Sequence, residues 1–185
     1  LMLATVSPTE TWHFLQTGKY LERADKTTRL LDVRHQSLPA RGRPGMLNES
    51  DALDWVGVLR SCSGLEAYRQ AHGAELNPAL IAEMLILSDE FPRSVRFCLD
   101  RLDRALHSIS GTAPPRFCND VERLSGRLLA ELQFGTVDDI FDLGLHEYVD
   151  QLQVKFNAIG DALFSAYIFL PFVESDADSQ RQQQQ

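Results

Sequence analysis

The chain has 185 residues, 44% of them hydrophobic, with a formal charge of −8 and a pI near 5.1. That size suits one domain, or one and a half, with a proper core. The acidic balance argues against nucleic acid as a main partner, because phosphate binding needs a basic face. No apolar run in the sequence is long enough for a membrane span.

Ser7-Pro8-Thr9-Glu10 predicts a helix start, with Ser7 as cap, Pro8 at the first helical position and Glu10 closing a capping box. The helix runs to about Val33, with Trp12, Leu15, Leu21, Ala24, Thr28 and Leu31 near helical spacing. Residues 34–48, with Pro39, Gly42, Pro44 and Gly45, read as a loop that is long for a compact bundle. A second helix is expected to start near Asn48 to Ser50, to bury Leu53, Val56, Leu59 and Cys62, and to meet a kink signal at Ser63-Gly64 before Leu65 to His72.

Asn77-Pro78 predicts a third start, with Asn as cap. Its body to Leu87 is apolar all round except Glu83, the pattern of a central helix, so Glu83 is expected to be buried with a partner. Pro92 opens a fourth, carrying Val95, Leu99, Leu102, Leu106 and Ile109; a fifth carries Val121, Leu124, Leu128 and Leu132 up to Gly135. Thr136 and Asp139 form a cap pattern for a long last helix with the stripe Phe141, Leu145, Tyr148, Leu152, Ile159, Leu163 and Leu170, roughly 50 Å at the helical rise. The expected fold is all-α: an antiparallel bundle of about six helices over residues 1–173, with a disordered polar tail over 174–185.

Cys62, Cys98 and Cys118 are odd in number and contain no Cys-x-x-Cys pair. They predict neither a disulfide framework nor a zinc site, and fit a reducing, cytoplasmic setting. Glu10-x-x-His13 and Asp32-x-x-His35 lie too far apart on one helix to share an ion. Asp139, Asp142, His146 and Asp150 form a stripe that reads as a wet acidic face before it reads as a metal site. No metal, cofactor or catalytic residue is assigned, for there is neither a nucleophile signature nor a phosphate-binding glycine pattern. Phe91-Pro92-Arg93-Ser94 opens a helix whose N–H groups, with Arg93, Ser94 and Arg96, form a candidate anion site; a simple cap beside surface arginines is the alternative.

The densest charge set is Lys19, Glu22, Arg23, Asp25, Lys26 and Arg29 on the first helix. Glu22–Lys26 and Asp25–Arg29 have the spacing of a solvated, salt-bridged face; the other reading places Glu22 and Arg23 in an internal polar network, with Glu83 or an acid of the last helix as the partner of Arg23.

Gly18-Lys19-Tyr20-Leu21-Glu22-Arg23-Ala24-Asp25, followed by Thr28-Arg29-Leu30-Leu31-Asp32-Val33, resembles the alpha-E family, a bacterial all-helical family named for a Glu-Arg motif. Trp55 with Leu59-Arg60-Ser61, Tyr68-Arg69 and Phe91-Pro92-Arg93-Ser94-Val95 agree with it; Lys19 replaces the usual Arg. The Glu-Arg motif is read once here, where the family's usually longer members carry it twice, so the chain resembles a C-terminal half. The motif set becomes Lys19, Tyr20, Glu22, Arg23, Asp25 and Arg29. The resemblance implies an accessory or scaffold domain that acts with an ATP-grasp-type peptide ligase or a transglutaminase-like protein, in peptide ligation or tagging. The alternative is an enzyme or small-ligand-binding domain using Glu22 and Arg23. Oligomeric state is left open.

Overall fold

A computed structural model describes residues 9–33 and 49–168. Among them are eight helices and no strand: α1 (Glu10–Asp32), α2 (Glu49–Ser61), α3 (Leu65–His72), α4 (Pro78–Leu87), α5 (Val95–Ser110), α6 (Asp120–Phe134), α7 (Val137–Leu143) and α8 (Leu145–Tyr167). The all-α expectation holds, with more helices than six because two expected helices are each broken by glycine-containing turns. Ser7 and Pro8, the loop over 34–48 and the tail over 174–185 lie outside the described residues.

Four long helices form the frame, each antiparallel to its neighbours. Phe14 meets Tyr167 while Asp32 meets His146, so α1 and α8 run in opposite directions. Thr27 reaches the start of α5 and Tyr20 meets Phe97, which sets α1 against α5 in the same sense. Ser125 bonds Asp103 between α5 and α6, and Glu131 pairs with Lys155 between α6 and α8. The core filling this frame includes Leu31, Leu99, Leu102, Leu106, Leu132, Val149 and Ile159, all at most 1% exposed.

Caps define the ends. Thr9 accepts from the Trp12 N–H and starts α1. Asn77 accepts from Ala79 with Pro78 in the first turn of α4. The Ser94 hydroxyl accepts from the Phe97 N–H to start α5, two residues beyond the Pro92 start expected from the sequence. Thr136 and Asp139 form a reciprocal capping box on α7. Each such cap satisfies a helix-end donor and typically contributes about 1 kcal/mol.

The single long C-terminal helix is corrected to two. Gly144, at φ 106°, ends α7, where a side-chain-bearing residue would be strained, and α8 starts afresh at Leu145. The apolar stripe crosses the break because Phe141 and Leu145 are both buried. The second helix likewise stops at Ser61; Ser63 takes φ 52°, and Gly64 leads into α3. A Cβ on Gly64 would stand 2.9 Å from Phe91 Cζ, so the ring rests directly on this turn.

Burial departs from the sequence pattern in three places. Leu15 is 57% and Leu53 73% exposed. On α1 the inward side is instead largely polar: Gln16, Thr17, Thr27 and Thr28 join Ala24 and Leu31. On α4, Ile81, Ala82, Leu85 and Ile86 are fully buried, but Glu83 is exposed. Its position on the one open face of the helix removes the need for a buried partner.

Candidate functional site

The motif lies in the middle of α1. Adjacent residues on a helix point about 100° apart, and the structure separates Glu22 from Arg23 accordingly. Glu22 is exposed and holds Lys26 Nζ at 2.7 Å. A hydrogen bond and the charge of Lys26 hold its carboxyl below the ordinary value. An ionised, solvated carboxylate is poorly suited to give up a proton as a general acid near neutral pH. The internal position considered for Glu22 is therefore corrected to the solvated one.

Arg23 turns the other way. Its Nη1 donates to the Pro92 carbonyl at 3.2 Å, and its guanidinium lies 5.6 Å from the Tyr20 ring centroid. One turn on, the Thr27 hydroxyl lies within donating distance of the Arg93 carbonyl, 2.9 Å away, and of the Arg23 carbonyl, 3.1 Å away. The partner is thus backbone at the entrance to α5, not the carboxylate of Glu83 or of the last helix. Such a bond fits the α1–α5 contact, since those carbonyls precede the helix and lack its internal donors.

The remaining motif residues take separate tasks. Asp25 and Arg29 form a 2.7 Å pair along the helix. Lys19 Nζ donates to Gln16 Oε1 at 3.1 Å and sits 4.3 Å above the Tyr20 ring. Tyr20 meets Phe97 edge-on.

Arg93, Ser94 and Arg96 do not converge on an anion. Ser94 is fully buried; its hydroxyl caps α5 and donates to the Ser88 carbonyl. Arg96 donates to the Leu87 carbonyl and pairs with Asp89, both at 3.2 Å. The Arg93 side chain is exposed. Cap and surface arginines account for this segment. The acidic stripe is likewise divided by Gly144: Asp139 serves the α7 cap, and His146 Nδ1 meets Asp32 at 2.6 Å. Among the described residues no three of His, Cys, Asp and Glu are grouped to hold a metal ion.

The sequence reading missed a polar network between α5 and α6. Asp103 Oδ1 accepts from the Ser125 hydroxyl at 2.9 Å, and Asp103 Oδ2 lies 3.4 Å from His107 Nδ1. His107 Nδ1 also faces the Asp103 carbonyl at 2.9 Å, and Nε2 the Arg116 carbonyl at 3.1 Å. Two carbonyl acceptors can both be served only by the imidazolium, which has two N–H donors. Burial works against that charge, but the two carbonyls and the Asp103 and Glu122 carboxylates outweigh it and raise the His107 pKa. Glu122, 1% exposed, takes the Cys118 N–H at 2.9 Å and the Cys118 thiol at 3.2 Å. Burial raises Glu122, yet Ser110, Cys118 and His107 together bring it below the ordinary value. The visible signal was the Asp103–His107 i,i+4 pair, set beside the buried Leu102 and Leu106. Glu122-Arg123 is also a second Glu-Arg dipeptide, of opposite orientation: its Glu is inside and its Arg pairs with Asp120 at the surface.

The other thiols, Cys62 and Cys98, are buried. Burial pushes Cys62 up to about 11 and Cys98 up to about 12, against the smaller opposing pull of nearby arginines.

These features define a helical bundle domain whose motif arginine joins two helices. The chain belongs to the Alpha-E family, described as a predicted alpha-helical domain with a conserved ER motif, which matches residues 1–168. Neither the curated proteins nor the solved structures contain a match to it.

Proposed function

We propose that this domain is an accessory or scaffold module of a bacterial cytoplasmic peptide-ligation or peptide-tagging system, whose partner is an ATP-grasp-type ligase or a transglutaminase-like protein. The observation that carries the non-catalytic part is the division of the Glu-Arg motif: Glu22 is spent on Lys26 in solvent, and Arg23 on a backbone carbonyl across the α1–α5 contact. In this arrangement Arg23 orders the helix interface, and Glu22, ionised beside Lys26 in solvent, is not poised as an acid. The family resemblance supports the partner class.

The alternative, an enzyme built on Glu22 and Arg23, has to supply a raised carboxylate pKa in a closed pocket, whereas Glu22 is open and its pKa lowered. The test is copurification of the full-length protein with a candidate ligase from its native cell, repeated with Arg23→Met and Glu22→Gln. Retained association with Glu22→Gln, together with loss of both melting temperature and association in Arg23→Met, supports the scaffold reading. Abolished ligase association or activity in Glu22→Gln at unchanged melting overturns it.

A further inference from the structure

Beside the motif, α1 and α5 enclose a cavity of about 300 Å³, lined by Trp12, His13, Gln16, Lys19, Arg101 and Arg104 among others. None of its lining residues carries a carboxylate, in a chain whose formal charge is −8. Gln16 is only 4% exposed, and its Oε1 accepts from Lys19. An ammonium can only donate, so Lys19 fixes the amide with its oxygen inward to the lysine and leaves Nε2 as a donor in need of an acceptor. That Nε2 has no partner; neither do Trp12 Nε1 and His13 Nδ1, buried nitrogens of residues that line the same cavity. Arg104 already holds Asp100, but Arg101 is exposed, with its guanidinium stacked 5.0 Å from the Phe97 ring.

The residues around the cavity thus combine cations with unpartnered nitrogens and carry no anionic acceptor. Buried polar atoms normally have partners, and unmet ones concentrated in one place point to a group that is to arrive. We infer that this cavity binds a small oxyanion, a carboxylate or a phosphate group, with the Gln16 amide and Trp12 indole as neutral donors and Lys19 and Arg101 as the charges. Arginine and lysine beside neutral N–H donors form charge-assisted hydrogen bonds to such groups. The site goes beyond the accessory role proposed above, and it is tested on this chain alone, so loss of the ligase partner leaves it standing.

The experiment is an NMR titration of the isotope-labelled full chain that follows the Trp12 indole N–H, assigned through Trp12→Phe. Inorganic phosphate and succinate are the probes, and sodium chloride at matched ionic strength is the control. Saturable movement with phosphate alone identifies a phosphate site; with succinate alone, a carboxylate site; with both, a general oxyanion site. Arg101→Glu reverses an exposed charge and is expected to weaken binding at least about tenfold, roughly the 1.4 kcal/mol of one lost charged contact, at unchanged melting temperature. Glu22→Gln is expected to leave the affinity as it was. Movement that never saturates with either probe, or that matches the sodium chloride control, overturns the inference, as does undiminished affinity in Arg101→Glu.

Discussion

Arg23 leaves the middle of α1 and donates to the carbonyl of Pro92, in the turn before α5. The bond is partly open to water, so it sits at the modest end of charged hydrogen bonds. Arg23→Met is expected to cost about 1 kcal/mol of stability, whereas Glu22→Gln leaves the melting temperature unchanged. Thermal unfolding of both variants decides it, and equal losses would show that the two residues share one network after all.

Leu85 is fully buried and Glu83, two residues away on α4, is exposed. Leu85→Ala is expected to destabilise by about 2–5 kcal/mol. Glu83→Gln is expected to fall within about 0.5 kcal/mol, as surface changes usually do. Chemical denaturation resolves the contrast; a large effect at Glu83 would restore the buried partner.

The His107 imidazolium has a folded-state pKa raised above its ordinary value. A histidine of this kind contributes stability that is fully present below about pH 6.5 and is lost as pH rises through the folded-state value. Asp103, which burial raises against the pull of Ser125 and His107, acts in the same direction at lower pH, since its ionisation is costlier in the fold. Melting temperature is therefore expected to decline as pH climbs from the imidazole range upward. In His107→Gln that decline flattens, and an unchanged slope would place the titrating group elsewhere.

Gly144 holds φ 106° between α7 and α8. Gly144→Ala is expected to destabilise by about 1–3 kcal/mol, because the backbone conformation is strained for any residue with a Cβ. Were the two helices free to fuse into one, the substitution would instead raise helicity and stability, and circular dichroism with thermal melting distinguishes the two.

Element types were legible because their signals are local. Asn77 with Pro78, and Thr136 with Asp139, carry their start signals within four residues. The break at Gly144 was hidden by a stripe that holds its spacing across it, although a lone glycine inside a helical pattern was the available clue. The wall of α1 was misread for a different reason. Its inward positions Gln16, Thr17, Thr27 and Thr28 are polar, and hydroxyls such as Thr17 and Thr28 donate to carbonyls of their own helix. Apolar periodicity cannot register inward hydroxyls that are satisfied in this way. The partner of Arg23 was illegible in principle, because a backbone carbonyl leaves no residue type to read.

The Phe91 ring stands where a methyl on Gly64 would go. The two positions are therefore one locus in the energetic sense, although they lie on opposite sides of α4 in the chain. Gly64→Ala forces the ring aside, and Phe91→Leu surrenders its contact. Made together, the smaller side chain vacates the space the methyl needs, so the double variant is expected to be milder than the sum of its parts. Close contacts of this kind typically give coupling energies of about 0.5–3 kcal/mol in a double-mutant cycle. A tolerated change at either site in a relative then implies a compensating change at the other.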